Sequence, residues 1–299
     1  MKFETAAQKY LECARKRLRP TSYATYMQLL NERVLPFWEG KKLAKIKNDD
    51  MQQFVDCLAL QGRTLHVVRD CVSLVKLVLK DARKDGEKVL TNFDLAYPKN
   101  IKRSPKRDFL TNEEYKKLIN YCIRNQKRCL PVLIAATTGL RNGEVCGLKW
   151  SDIDFATKQI RIVRSVKRVN IPGEGSFLEI SNPKTESSIR TIPVPEITMS
   201  ALMECKPKSD CFVASGKETP TEPRTLRQKY GRILRASGIQ QHTFHALRHT
   251  FASRCINAGG DARAVADILG HRDVEMTLNV YTHSSDKRRS QICEMATII

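Results

Sequence analysis

The chain has 299 residues, enough for two domains, with 52 Lys and Arg against 32 Asp and Glu and a formal net charge of +20 at pH 7. Hydrophobic residues make up 41% and charged residues 28%, the balance of a globular rather than a disordered chain. The best apolar run, Leu130–Ala136, falls far short of a membrane span, and no apolar signal core opens the chain, so membrane and secreted classes are excluded and a cytoplasmic protein is expected. The surplus of positive charge favours a polyanionic partner, because Lys and Arg gain by displacing counterions from phosphates. A basic surface that merely keeps the protein soluble would look the same.

Residues 1–96 read as helical throughout. A first helix, Thr5–Leu18, runs to Pro20; a second starts at Thr21 and Ser22 and stops at Pro36. Asn48 is the expected N-cap of a helix over Asp49–Gln61, closed by Gly62. In the fourth, Leu65, Val68, Val72, Val75, Leu79 and Ala82 step by three and four before Gly86. Four amphipathic helices on short connections predict a small all-α bundle. With one basic face it would serve as a DNA clamp, a protein-interaction module or simply a solvated bundle.

Residues 97–108 carry Lys99, Lys102, Arg103, Lys106 and Arg107 against one acidic residue, with two prolines and no apolar period. They predict a basic linker, suited to lie along a phosphate backbone or to act as a solvated hinge.

Residues 109–299 predict a second domain, α+β and mainly helical, with a small antiparallel sheet. Thr111 and Glu114 form a capping box leading a helix to about Arg124, and an apolar helix around Leu130–Thr138 ends at Gly139. Ile160, Ile162 and Val166, then Phe177–Ile180 and Ile189–Pro193, alternate as strands joined at Gly173, Gly175 and the polar turn Pro183–Ser188. Helices return from Thr221 onward. The ten cysteines include no Cys-x-x-Cys and no zinc-ligand spacing, so they read as buried reduced thiols and no structural metal is expected.

Two stretches carry candidate chemistry. Thr243–Ala252 reads as a helix with a core stripe of Phe244, Leu247, Phe251 and Cys255. His245 and Arg248, three apart, project together beside that stripe, where a guanidinium fork and a tunable imidazole could hold an anion. A satisfied helix surface would show the same pattern. Arg141 follows Gly139 at the start of another helix, where the positive helix end and a guanidinium together make an oxyanion site. Glu144 can orient Arg141, or form an ordinary i, i+3 surface pair. Leu148 and Trp150 are expected in the core.

Gly139, Leu140 and Arg141 with Glu144, Leu148, Trp150 and Asp152, then His245 to Arg248, then Leu269, Gly270 and His271, then Tyr281, Thr282 and His283 resemble the tyrosine recombinase (phage integrase) family, in that order. His271 and Tyr281 lie ten residues apart, which fits the family's short gap. The resemblance covers the second domain in four separated blocks, and the helical first domain with its basic linker is similar to the family's core-DNA-binding domain. It implies a site-specific DNA recombinase or integrase that cleaves and rejoins strands through a 3′-phosphotyrosyl intermediate, for a mobile element, with no metal and no cofactor. It also implies a lysine on a β-hairpin turn, which Lys184 supplies, with Lys167 as a competitor.

In that chemistry Arg141 and Arg248 neutralise the scissile phosphate, and His271 adds a hydrogen bond. Tyr281 is the nucleophile, His245 the base that takes its proton, Lys184 the acid that protonates the departing 5′ oxygen, and Glu144 a support for Arg141. His249 and His283 match no catalytic role. The implied partners are double-stranded recombination sites, three further copies of the chain in a synaptic homotetramer formed from monomers or weak oligomers, and accessory DNA-bending proteins. A tail from about residue 284 ends in an apolar segment that in the family docks onto a neighbouring protomer, or here packs in cis. A bacterial or phage origin is expected. Two rivals remain. One is type IB topoisomerase-like DNA relaxation. The other is a non-enzymatic regulator in which Asp261–Leu269, Gly270 and Glu275–Val280 imitate a helix-turn-helix, leaving Arg141, Lys184, His245, Arg248 and Tyr281 without a task.

Overall fold

Proline, glycine and apolar spacing set most element boundaries in the computed structural model, which describes residues 1–102, 108–181 and 189–270. Arg103, Lys106, Arg107, Lys184, His271 and Tyr281 lie outside the described residues, as do the Pro183–Ser188 turn, residues 275–280 and the tail. The chain divides into two compact units, one holding residues 1–106 and 169–177, the other residues 107–168 and 178–299.

The first unit contains helices α1 (Phe3–Arg17), α2 (Pro20–Leu29), α3 (Leu35–Trp38), α4 (Asn48–Leu60) and α5 (Leu65–Lys84). Their inward stripes meet around Trp38, whose ring lies 5.6 Å from that of Phe3 and 5.5 Å from that of Phe54. Pro36 does not stop the second helix as the sequence suggested. A π-helical turn, Leu30–Val34, resets the hydrogen bonding so that the Leu35 N–H reaches Leu30 O, and Pro36 falls in the first turn of α3, where a missing N–H costs nothing. Asn48 is likewise inside α4 rather than its cap. Its side chain instead bonds the Asp94 backbone in both directions, at 2.8 and 2.9 Å. The start of the basic segment is no free strap either: Ile101 is buried in this unit's core and the Leu65 N–H bonds Lys102 O at 2.9 Å. Lys99 and Lys102 themselves are exposed.

The second unit is built on a buried helix. The capping box is present, with Glu114 N–H to Thr111 Oγ1 at 3.2 Å and Thr111 N–H to Glu114 Oε2 at 2.9 Å, and it starts α6 (Asn112–Arg124). Next comes α7 (Gln126–Thr138), buried at every position from Cys129 to Thr138, the mark of a helix enclosed on all sides. Helix α6, α9 (Glu196–Cys205) and α11 (Phe244–Asn257) pack against it. Helix α9 was not read from the sequence: after the strand over Ile189–Pro193 no helix was expected before Thr221, but Pro195 stands at the N-cap of one. The remaining helices are α8 (Asn142–Gly147), α10 (Pro223–Ala236) and α12 (Ala262–Leu269).

The strands pair differently from a single small sheet. Strand β2 (Gln159–Ile162) is central, antiparallel to β1 (Ile153–Asp154) on one side and to β5 (Arg190–Pro193) on the other, with Ile160 opposite Ile192. Strands β3 (Ser165–Ile171) and β4 (Gly175–Ser181) form a separate two-stranded pair turned at Gly173 and Gly175, both at positive φ. Residues 169–177 of that pair belong to the first unit: Val169 and Ile171 are buried in its core, and Arg15 meets Glu174 at 2.8 Å. Among the described residues no helix is long and apolar enough to cross a membrane, and all nine described cysteines are free.

Gly139 closes α7 at φ +68°, and a Cβ there would stand 2.6 Å from both Leu269 Cδ2 and Phe251 Cδ1. Left-handed strain and overpacking therefore coincide. Gly139→Ala is expected to lose roughly 2–4 kcal/mol, measured as a lowered denaturant midpoint of the full chain. An unchanged midpoint would mean that α11 and α12 yield at no cost.

Candidate active site

Arg141 sits at the N-cap of α8, two residues past the Gly139 stop, and Glu144 is the third residue of that helix. The glutamate accepts the Arg141 backbone N–H at 2.9 Å and the Arg141 Nη1–H at 2.9 Å. This is the orienting pair read from the sequence, and it is not a surface pair, since the Glu144 side chain is only 9% exposed. Arg141 Nη2 donates to Gly270 O at 3.2 Å, and its side chain remains 39% exposed.

Arg248 projects from α11 into the interior, 2% exposed, and donates to Gly139 O at 3.1 Å and Leu269 O at 2.8 Å. Gly139 and Arg248 are far apart in sequence, yet a single side chain ties the end of α7 to the end of α12. Helix α12 stops at Gly270, at φ +66°. The last carbonyls of a helix have no partner within it and carry the negative end of the macrodipole, so they attract guanidinium groups. Arg141 and Arg248 take neighbouring carbonyls, those of Gly270 and Leu269, which brings two sequence-distant guanidiniums to the same helix end.

A third arginine completes the cluster. Arg190, at the start of β5, is buried and donates to both Glu144 oxygens, Nη1 to Oε1 at 3.1 Å and Nη2 to Oε2 at 2.9 Å. Its Nε donates to Ile268 O at 2.7 Å. Burial by itself would raise the Glu144 pKa, but the bonds and charge of Arg190, aided by Arg141, overcome it and hold the carboxyl down at about 2. Arg190 was not among the residues singled out from the sequence. One signal was there: in β5 it shares the inward face with buried Ile192, an unusual place for a lone cation.

His245, the other member of the predicted pair, is exposed, and its ring meets that of His249 edge-on at 4.6 Å between centroids. The two residues therefore do not share one environment as their spacing suggested: Arg248 turns inward while His245 stays at the surface. Leu148 and Trp150 are buried, as expected. Lys167 is exposed on β3. Among the described residues no group of three or more His, Cys, Asp or Glu side chains is gathered to hold a metal ion.

The start of α11 is held by a histidine that sequence reading passed over. His242, its side chain 4% exposed, bonds Asp108 Oδ1 at 2.5 Å and Glu114 Oε1 at 3.3 Å, while the Thr243 N–H donates to Asp108 Oδ2 at 2.7 Å. Both carboxylates lie more than a hundred residues away, so no local pattern announced the contact. Burial pulls the His242 pKa down, but the two carboxylates outweigh it and the net direction is up from 6.5. A raised imidazole pKa stabilises the fold fully below the ordinary value, and that contribution is lost as pH rises through the raised one. Asp108 and Glu114 are both lowered and titrate in acid, outside this window. The expected result is that raising the pH from about 6 to about 8 lowers the melting temperature of the wild type more than that of His242→Gln. Equal shifts in the two proteins would remove His242 from the account.

Residues 108–288 match the model of the phage integrase family, and residues 2–59 match the phage integrase N-terminal SAM-like domain. A XerC-like tyrosine recombinase of Caldanaerobacter subterraneus subsp. tengcongensis is 30% identical over 281 residues, covering 85% of this chain and 72% of that protein. The ICEBs1 integrase of Bacillus subtilis is 23% identical over 310 residues, covering 98% and 82%. The fold is similar to that of the Tn1549 transposon integrase in complex with transposon right end DNA, with a TM-score of 0.77 at 24% identity, covering 98% of this chain and 99% of that one.

Proposed function

Because the chain belongs to the phage integrase family of tyrosine recombinases, enzymes that cleave and rejoin DNA strands, we propose that it is the site-specific recombinase of a mobile element, acting on double-stranded recombination sites in a bacterial cytoplasm. The observation that carries this reading is the convergence of Arg141 and Arg248 on adjacent carbonyls at the end of α12, one residue before His271. Two guanidiniums so placed supply paired positive charge for the non-bridging oxygens of one phosphate as the phosphorane forms.

In the proposed reaction the Tyr281 phenolic oxygen forms a bond to phosphorus and the bond from phosphorus to the 5′ oxygen breaks. His245 accepts the phenolic proton, Lys184 gives a proton to the leaving oxygen, and His271 adds a hydrogen bond to the phosphate. The product is a 3′-phosphotyrosyl link and a free 5′ hydroxyl. A 5′ hydroxyl from a partner strand then attacks, releases Tyr281 and returns the protons. Exchange between two duplexes needs four such cleavages, hence four copies of the chain in the synaptic assembly, with Lys99, Lys102, Arg103, Lys106 and Arg107 along the backbone and DNA-bending proteins as accessory partners. Kinship with the ICEBs1 and Tn1549 integrases supports service to a mobile element.

The test is incubation with genomic fragments and capture of a denaturant-resistant protein–DNA adduct. Adducts at one recurrent sequence support the proposal. Relaxation of any supercoiled plasmid, with no preferred site, would replace it with a topoisomerase. Binding without any adduct would replace it with a regulator.

A further inference from the structure

We propose that Arg190 is a positioning residue for strand transfer, taking up the charge of Glu144 so that Arg141 keeps its own for the scissile phosphate. This rests on the reading of Arg141 as a phosphate-binding residue.

Each Glu144 oxygen is shared: Oε1 between Arg190 Nη1 and Arg141 Nη1, Oε2 between Arg190 Nη2 and the Arg141 backbone N–H. The trio therefore carries two cations and one anion and presents one net positive charge, with Glu144 and Arg190 buried and Arg141 partly exposed. Remove Arg190 and the carboxylate has Arg141 as its one remaining cation in the trio, so the pair becomes neutral. A neutral pair still orients the Arg141 fork but contributes far less field to a doubly charged phosphorane. Arg190 also fixes the geometry. Its Nε holds Ile268 O at 2.7 Å, and its guanidinium lies against the Cα of Gly270, where an added Cβ would come within 3.1 Å of Nη1. Ile268, Leu269 and Gly270 thus offer three consecutive carbonyls to three arginines, Arg190, Arg248 and Arg141 in that order. The carbonyl held by Arg141 belongs to the very residue whose α-carbon rests on Arg190.

The experiment separates charge from structure by changing the substrate. A duplex carrying the cleavage site is prepared with the natural phosphodiester or with a methylphosphonate at the scissile position, which lacks one anionic oxygen. Cleavage by the full chain is compared for wild type and Arg190→Met, alongside DNA affinity. The variant is expected to cleave the diester about 10- to 100-fold more slowly than wild type, with affinity little changed, and to match wild type on the methylphosphonate within about threefold. An equal loss on both substrates would show that Arg190 only supports the fold, and no loss on either would show that it is idle; each overturns the proposal. If Arg190→Met does not fold, Glu144→Gln/Arg190→Met carries the test, since it removes the buried carboxylate with its partner and leaves Arg141 charged. Its ratio of diester to methylphosphonate cleavage is then expected to stay near that of wild type, and a collapse of that ratio overturns the proposal. Failure of the parent reading shows separately, as wild type giving no adduct on the diester or Arg141→Ala cleaving it normally.

Discussion

Tyr281→Phe is expected to abolish the covalent protein–DNA adduct while leaving affinity for the site DNA little changed. The substitution keeps the ring and removes only the oxygen proposed as the nucleophile, so binding surfaces survive and the proposed reaction has no way to begin. Loss on the order of 10⁴-fold or more is the scale for deleting a covalent nucleophile. The reasoning turns on acidity. A phenol with a pKa of about 10 is almost wholly protonated at neutral pH. A guanidinium at ~4 Å lowers the energy of the phenolate by roughly 4 kcal/mol at an effective dielectric near 20, equivalent to about three pK units. With paired arginines and a base to accept the proton, attack becomes feasible; with no oxygen it is not. The measurement is a denaturing gel of enzyme trapped on a nicked duplex. An adduct persisting in Tyr281→Phe would assign the nucleophile elsewhere.

Arg248→Ala is expected to have the second largest effect, and it acts on two levels at once. Chemically, in the proposed reaction, it removes one of the two guanidiniums assigned to the phosphate, worth about 10²–10³ in cleavage rate by comparison with a lost oxyanion donor. Structurally it strips partners from Gly139 O and Leu269 O, and leaving such carbonyls buried and unsatisfied costs about 1–3 kcal/mol each. The variant should therefore melt at lower temperature as well as fail to cleave. Arg248→Lys separates the two effects, because the ammonium retains charge and much of the volume but cannot span both carbonyls. The lysine variant should bind site DNA nearly as wild type does, by fluorescence anisotropy, and still form little adduct. Affinity and adduct falling in parallel would make Arg248 a binding residue only.

Several local features around Arg141 are legible in the sequence. Gly139 and Gly270 announced two helix ends, the Thr111–Glu114 box announced a helix start, and the spacing of Arg141 and Glu144 announced their pairing. All are local features, decided within one turn of chain by steric freedom at φ above zero or by a side chain reaching its own backbone. Pro36, Asn48 and α9 misled because the same local signals have more than one solution. A π turn upstream lets a proline begin a helix, and an asparagine can find a better partner than its own helix, here the Asp94 backbone.

By itself the sequence determined the mainly helical fold with its small antiparallel sheets, the ordered set of arginines, histidines and tyrosine, and the family that these define. Only the tertiary structure decided what each charge does. Arg248 and Arg141 become neighbours because α12 ends between them, and Glu144 becomes a shared counter-ion because β5 carries Arg190 to it across 46 residues. Likewise His242 becomes a clamp because residues 108 and 114 fold back onto the start of α11. Such pairings are set by burial. A charge withdrawn from water must find its partner wherever the chain brings one, and the order of residues along the backbone does not record that meeting.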